Sequence, residues 1–263
     1  MVKKYLSRTY AFLVYLFLYM PIFLLILFSF NDSRYGGRWQ GFTFKWYTEL
    51  FSDGSIMESL YTTIIVAVIA SIISTVIGTI SAIAIHNMSP RKKAILTNLS
   101  YIPMVNPDIV IGISLLSFFS ILNLKLGYIT LILAHITFNI PYVIFAVLPK
   151  LQQLNPNIEE AALDLGATPI QAFFKVILPE IMPGIITGSL LAFTLSLDDF
   201  IVSFFTTGSG VSTLSIKVYS MTQRGISPKI NALSSLMFIA VLALMLLLQL
   251  RDAKNKSQSE HVR

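Results

Sequence analysis

Cysteine is absent from all 263 residues. That excludes disulfides, thiol nucleophiles and thiolate metal sites. Charge is scarce as well: Asp, Glu, Lys and Arg make up 12% of the chain, where a soluble domain carries about 25%. With 55% hydrophobic residues and a mean hydropathy of +0.73, the composition is that of a membrane protein, so the usual ratio of length to domain number does not apply. No G-x-x-x-x-G-K-[ST] phosphate loop occurs in the sequence, so ATP hydrolysis of the usual kind is excluded. H-E-x-x-H and G-x-S-x-G are missing too, and no other hydrolase signature is present. There is no internal repeat and no low-complexity tract. The net charge of +6 is a topology signal, not a nucleic-acid footprint.

What is abundant is apolar sequence in long runs. A bilayer-crossing helix needs about 20 mostly apolar residues, and six segments qualify: Tyr10–Phe30, Tyr61–Ile85, Ile95–Leu122, Gly127–Leu148, Gly184–Phe205 and Leu233–Leu250. The first is too long for a signal-peptide core and is followed by no A-x-A-like site, so it reads as an uncleaved helix. The expected fold is therefore an all-α membrane protein with six transmembrane helices. An even number of spans puts both termini on one side. That side collects 12 of the 19 Lys and Arg, including Lys3, Lys4, Arg8 and the cluster Arg91-Lys92-Lys93. Basic residues favour the cytoplasm, so both termini are expected there. The segments 31–59 and 206–231 then face outward. The first contains GGRWQGFTFKWY, either an interfacial aromatic belt or a docking surface for an outside partner. The second holds TTGSGVST, a flexible run, and then LSIKVYSMTQ, a short helix ended by Gly225.

Between the fourth and fifth spans lies NIEEAALDLGATPIQAFFKVILPEIMP, residues 157–183. Asn155 with Pro156, or Asn157, caps a helix there. Ile158, Ala161, Ala162 and Leu165 share one face. Gly166 closes the helix as a C′ glycine. Thr168-Pro169-Ile170-Gln171 has the form of a capping box with proline at N1, and the second helix is expected to stop near Pro179 and Pro183. Small side chains on the stripe let another surface approach closely. Two readings remain open on physics alone: a hairpin resting on the protein's own cytoplasmic ends, or a short rigid helix made to enter a partner's groove.

Glu160-Ala161-Ala162, then three residues, Gly166, nine residues, and Val176-Ile177-Leu178-Pro179 resemble the EAA loop of ABC importer permeases, EAA-x3-G-x9-I-x-L-P. Val176 in place of isoleucine is the one departure, and a conservative one. The resemblance covers residues 58–250 and implies the type I importer transmembrane domain. It divides the chain into an N-terminal helix and outer loop (1–57), a membrane core (58–250) with the EAA loop at 155–183, and a cytoplasmic tail (251–263). It implies that Glu160, Ala161, Ala162, Gly166, Leu178 and Pro179 couple the membrane helices to a separate ATPase dimer. On that footing this chain is a non-catalytic subunit of the bacterial inner membrane, without a cofactor, since ATP is bound by the partner.

Acids in apolar spans are costly, by about 2.5–3.5 kcal/mol at a helix centre. Asp108 follows Ile95 by 13 residues and Asp198 follows Gly184 by 14, so at 1.5 Å per residue both lie about 20 Å into their spans. Asp198 and Asp199 are about 100° apart on a helix and cannot both face one spot. The structural alternatives stand beside this. Asn106-Pro107-Asp108 reads as a helix restart with Asn106 capping, and Pro103 as a further break. The Asp198-Asp199 pair matches a basic residue of a neighbouring subunit. His135 suits a hydrogen bond between helices, and Tyr219 suits a core or interface.

Three strings, NPDIVIGISLL, FTLSLDDFIVSFFTTG and LSIKVYSMTQRGISPKINAL, with FNDSRYGGRWQGFTFKWY, resemble the second permease subunit of the spermidine/putrescine branch of that family. The branch implies a homologous second permease, two copies of an ATPase, a periplasmic polyamine-binding protein and a polyamine substrate. It makes Asp108, Asp198, Asp199 and Tyr219 the candidate pathway residues. Carboxylates and aromatic faces attract cations, which agrees in sign. An importer permease for another small solute, an ATP-independent cation transporter, and a scaffold with no pathway are the rival classes.

Overall fold

The computed structural model describes residues 2–33, 38–223 and 228–243, with side chains from residue 7 onward. In chain order the helices are α1 (Val2–Phe28), α2 (Lys45–Ser52), α3 (Gly54–His86), α4 (Pro90–Val105), α5 (Asp108–Ile121) and α6 (Tyr128–Gln153). They continue with α7 (Ile158–Asp164), α8 (Pro169–Ala172), a π-helical turn (Phe173–Ile177), α9 (Leu178–Asp198), α10 (Ile201–Thr206) and α11 (Leu214–Gln223). A last apolar helix, α12, spans Pro228–Ala243. The fold is all-helical; the described residues add a single isolated bridge, Asn31 to Phe42.

Four stretches are long and apolar enough to cross a bilayer: Ser7–Phe28, Gly54–His86, Tyr128–Gln153 and Pro169–Asp198. The expected third span departs from a straight helix. It is the pair α4 and α5, bent by 102° at Asn106–Pro107. Proline forces the preceding residue out of the helical region, and Asn106 is extended (φ −72°, ψ 142°). Asn106 therefore ends α4 instead of capping α5, whose cap position is Pro107. Pro103 lies inside α4 without ending it. Of the expected sixth span, residues 244–250 lie outside the described residues.

The fifth span also differs from expectation. It starts earlier and ends at Asp198, not Phe205. Pro179 and Pro183 do not stop the second loop helix. The chain widens into the π-turn just before Pro179, with Leu178 N–H bonding the Phe173 carbonyl. A wider turn makes room for a ring that would otherwise clash with the carbonyl four residues back. The loop helix and the membrane helix are thus one continuous rod.

Two compact units emerge, Met1–Met57 with Val218–Arg263, and Glu58–Lys217. In the first, Phe30 stacks on Phe42 at 5.3 Å and meets Phe44 and Tyr47 edge-on or tilted. Buried Trp46 donates from Nε1 to the Asn31 carbonyl at 2.7 Å. Lys229 on α12 reaches Glu49 at 3.4 Å and Asp53 at 3.7 Å.

In the second unit α6 is the central helix. Val143 is gripped from two sides: a Cβ on Gly78 of α3 would lie 2.6 Å from the Val143 Cβ, and one on Gly188 of α9 would lie 3.2 Å from its Cα. Small residues allow such close approach, which is how helices pack where burial alone does not drive them together. Val143, Ile144, Val147, Leu148 and Leu151 join Ala82, Ile85, Ile181 and Ala192 in the main core. A smaller cluster of Phe119, Ala134, Phe138 and Val202 binds α5, α6 and α10.

Candidate functional site

The first site is the loop. Asn157 is the cap residue of α7, and Asn155 accepts from the Asn157 N–H at 3.0 Å, so the asparagines share the turn. The helix ends in a Schellman motif. Gly166 N–H bonds Leu163 O at 2.9 Å and Ala167 N–H bonds Ala162 O at 3.1 Å. Gly166 has φ +85°, which a side chain would strain. Thr168 and Gln171 form the reciprocal capping box, at 3.0 and 3.3 Å, which launches α8.

The stripe is not buried in this chain as a whole. Ala162 alone in α7 is buried, at 8% exposure, while Glu160 and Ala161 are exposed. Leu165 is 90% exposed, Ile170 71% and Phe174 60%. Leu178 is half-buried and Pro179 exposed on the rod that follows. A cavity of about 170 Å³, walled by Ile83, Asn87, Leu151, Ile158 and Phe173 among others, lies under the loop's base. The loop is thus stiff within itself, lightly anchored, and apolar on its open side.

The second site is acidic. Asp108 opens α5 at the first helix break, and Asp198 ends α9 at the second. Both side chains are exposed. Asp198 has Asp108 and Asp199 within Coulombic range, and the Tyr142 hydroxyl of α6 feels Asp108. Two carboxylates from distant parts of the sequence therefore lie close enough to repel each other. Asp199 does not join them as an open group. Its side chain is only 9% exposed and it caps α10, accepting from Val202 N–H at 3.2 Å and Ser203 N–H at 2.6 Å. His135, fully buried, lies with Nε2 3.0 Å from Ser203 Oγ and 3.6 Å from Asp199 Oδ2. One turn along α6, Asn139 Nδ2 donates to Ser196 Oγ at 2.8 Å. Tyr219 belongs to the other unit. It is exposed there, with its hydroxyl accepting from Gln223 at 3.1 Å.

His135 makes the hydrogen bond between helices that the sequence suggested, to Ser203; Tyr142, and the tie from Asn139 to Ser196, were missed. A signal was present: His135 and Asn139 are four apart and form a polar stripe on an apolar helix, and Ser196 and Ser203 flank the two aspartates. Among the described residues no group of His, Asp and Glu is arranged to hold a metal.

A bundle of apolar helices broken at acids, with a rigid loop projecting from it, defines a multi-pass membrane component of a solute transporter. Residues 74–254 match the family described as binding-protein-dependent transport system inner membrane component, and the chain belongs to that family. It is 37% identical over 255 residues to the spermidine/putrescine transport system permease protein PotC of Haemophilus influenzae, covering 97% of this chain and 99% of that one. To PotC of Escherichia coli it is 38% identical, with 95% of each chain covered. To the putrescine transport system permease protein PotI of Escherichia coli it is 39% identical, over 86% of this chain and 83% of that one. The fold matches a bacterial ABC transporter involved in the import of the acidic polysaccharide alginate, with TM-score 0.76 at 16% identity, covering 94% of this chain and 95% of that one. A second alginate ABC transporter structure, in complex with an alginate pentasaccharide-bound periplasmic protein, matches with TM-score 0.69 at 19% identity, over 94% and 91% of the two chains. The resemblance carried by the EAA loop is thus borne out at the level of family and fold.

Proposed function

We propose that this chain is one of two permease subunits of an ATP-driven polyamine importer in the bacterial inner membrane, with both termini cytoplasmic. A homologous second permease, an ATPase dimer and a periplasmic binding protein complete the assembly. ATP is bound and hydrolysed by the ATPase, and this chain has no catalytic residue and no cofactor of its own. α7 enters a groove on the ATPase, with Glu160, Ala161, Ala162 and Gly166 forming the inserted turn. Leu178 and Pro179 carry the movement into α9. In support, the loop exposes Leu165, Ile170 and Phe174, and an apolar helix face is the usual currency of helix-in-groove recognition. The unbroken run from Pro169 to Asp198 is the mechanical link: a pull on the loop is felt at the acid.

The observation that carries the substrate class is that two exposed acids, Asp108 and Asp198, stand at two helix breaks within electrostatic range of each other. An ammonium group stripped of water needs anionic or dipolar partners, and irregular backbone at membrane depth belongs where it lines a path. Asp108 and Asp198 are the cation contacts, with Asp199 behind them holding the start of α10. The high identity to permeases named for spermidine and putrescine supports the same class. The test is uptake of labelled spermidine by vesicles containing the whole complex, with and without this subunit. Uptake independent of it, or uptake of a neutral solute alone, would overturn the reading.

A further inference from the structure

We infer that His135 and Asn139 act as a clamp: from one face of α6 they hold both sides of the α9–α10 break, and so fix where Asp198 presents its carboxylate. The inference rests on the reading of Asp198 as a cation contact. Asn139 grips Ser196 before the break, at 2.8 Å, and His135 grips Ser203 after it, at 3.0 Å. Asp198 and Asp199 lie between these two anchor points. Asp199 is turned inward, capping α10, with its Oδ2 3.6 Å from the imidazole. Asp198 is left at the helix end, open, its backbone carbonyl accepting from Ser215 Oγ at 3.4 Å.

The chemistry of the clamp argues for position over packing. His135 and Asn139 are both fully buried. An aliphatic side chain would fill either place at no cost in desolvation, whereas a buried polar group is costly unless bonded. Among the described residues each is bonded only at the end facing α9 or α10, with no partner there for His135 Nδ1 or Asn139 Oδ1. The bonds these two residues do make are the ones that reach across the break. A helix end held at two points keeps its last side chain in one place, and a contact held in place interacts with a passing charge without first paying to be ordered.

The experiment compares spermidine uptake per assembled complex in reconstituted vesicles for H135L, H135Q, N139L and D198N, and for the H135L/D198N double variant. Losing one hydrogen bond of the clamp is expected to lower uptake about three- to ten-fold in H135L and in N139L. H135Q, whose amide places a donor near the Nε2 position, keeps most of the activity. In the D198N background, H135L should add nothing, because its effect runs through Asp198. An additive loss in the double variant overturns the clamp, as does full uptake by H135L and N139L beside an impaired D198N. Failure of H135L and H135Q alike to assemble would make the histidine structural only, and overturns it too. Full uptake by D198N would sink the pathway reading itself, and the clamp with it.

Discussion

Asp198 and Asp199 are neighbours of the same type, and the structure gives them opposite jobs. The perturbation that separates them is the change to asparagine at each position. Asp199 holds two backbone N–H groups of α10, one through each oxygen, at 3.2 and 2.6 Å. Asparagine keeps one acceptor and turns an amide toward the other N–H. An unpaired buried donor costs about 1–3 kcal/mol, and loss of a good helix cap about 0.5–2 kcal/mol. D199N should therefore be destabilised by about 1–3 kcal/mol, and D199A, which loses both acceptors, by more. Asp198 is open and its carboxylate holds no other helix's backbone, only its own N–H, so D198N should leave stability within about 0.5 kcal/mol of the parent. Its effect should fall on uptake instead. The assay pairs the thermal midpoint of the solubilised complex with labelled spermidine uptake normalised to complex. Equal destabilisation of D198N and D199N, or a D199N as stable as the parent, would refute the division of labour.

Other outcomes follow from particular contacts. A161E, at an exposed position, should express normally and lose ATPase pull-down and substrate-stimulated ATP hydrolysis, whereas A162E, at a buried one, should lower the amount of protein; normal ATPase binding by A161E would leave the loop a hairpin with no partner. G166P should uncouple in the same assay, since it places a ring of fixed negative φ at a turn held at +85°. G188A should cost about 1–3 kcal/mol in thermal unfolding, because its Cβ meets the Val143 backbone at 3.2 Å, and a neutral result would show α6 and α9 free to separate. Since the chain has no native cysteine, S52C and S209C, both exposed, should react with an impermeant reagent from outside and S89C only from inside; the reverse would invert the topology. Ser33, although in the same 31–59 segment as Ser52, is buried and is a poor reporter.

The sequence by itself determined the elements that depend on neighbours along the chain. Hydropathy over about 20 residues is a local sum, so the membrane class and most spans were legible. Cap and turn chemistry acts over three or four residues, so the capping box at Thr168 and the glycine at 166 were legible too. A motif of fixed spacing carried the family. What the tertiary structure decided is what depends on packing between helices. Pro179 looks like a stop in isolation, yet a π-turn absorbs it and the rod runs on to Asp198. The pair at 198 and 199 looked equivalent by charge. They part because backbone N–H groups of α10 and the imidazole of α6 compete for one carboxylate and leave the other open. Asp108 and Asp198 are 90 residues apart in the sequence, and no period or spacing links them. They come within range because Gly112 lets α5 close on α10, a Cβ there lying 2.8 Å from Phe205 Cδ2, because Gly184 and Gly188 let α9 close on α6, and because a helix breaks at each acid. Local chemistry wrote the pieces, and close packing of small residues chose which polar groups face one another.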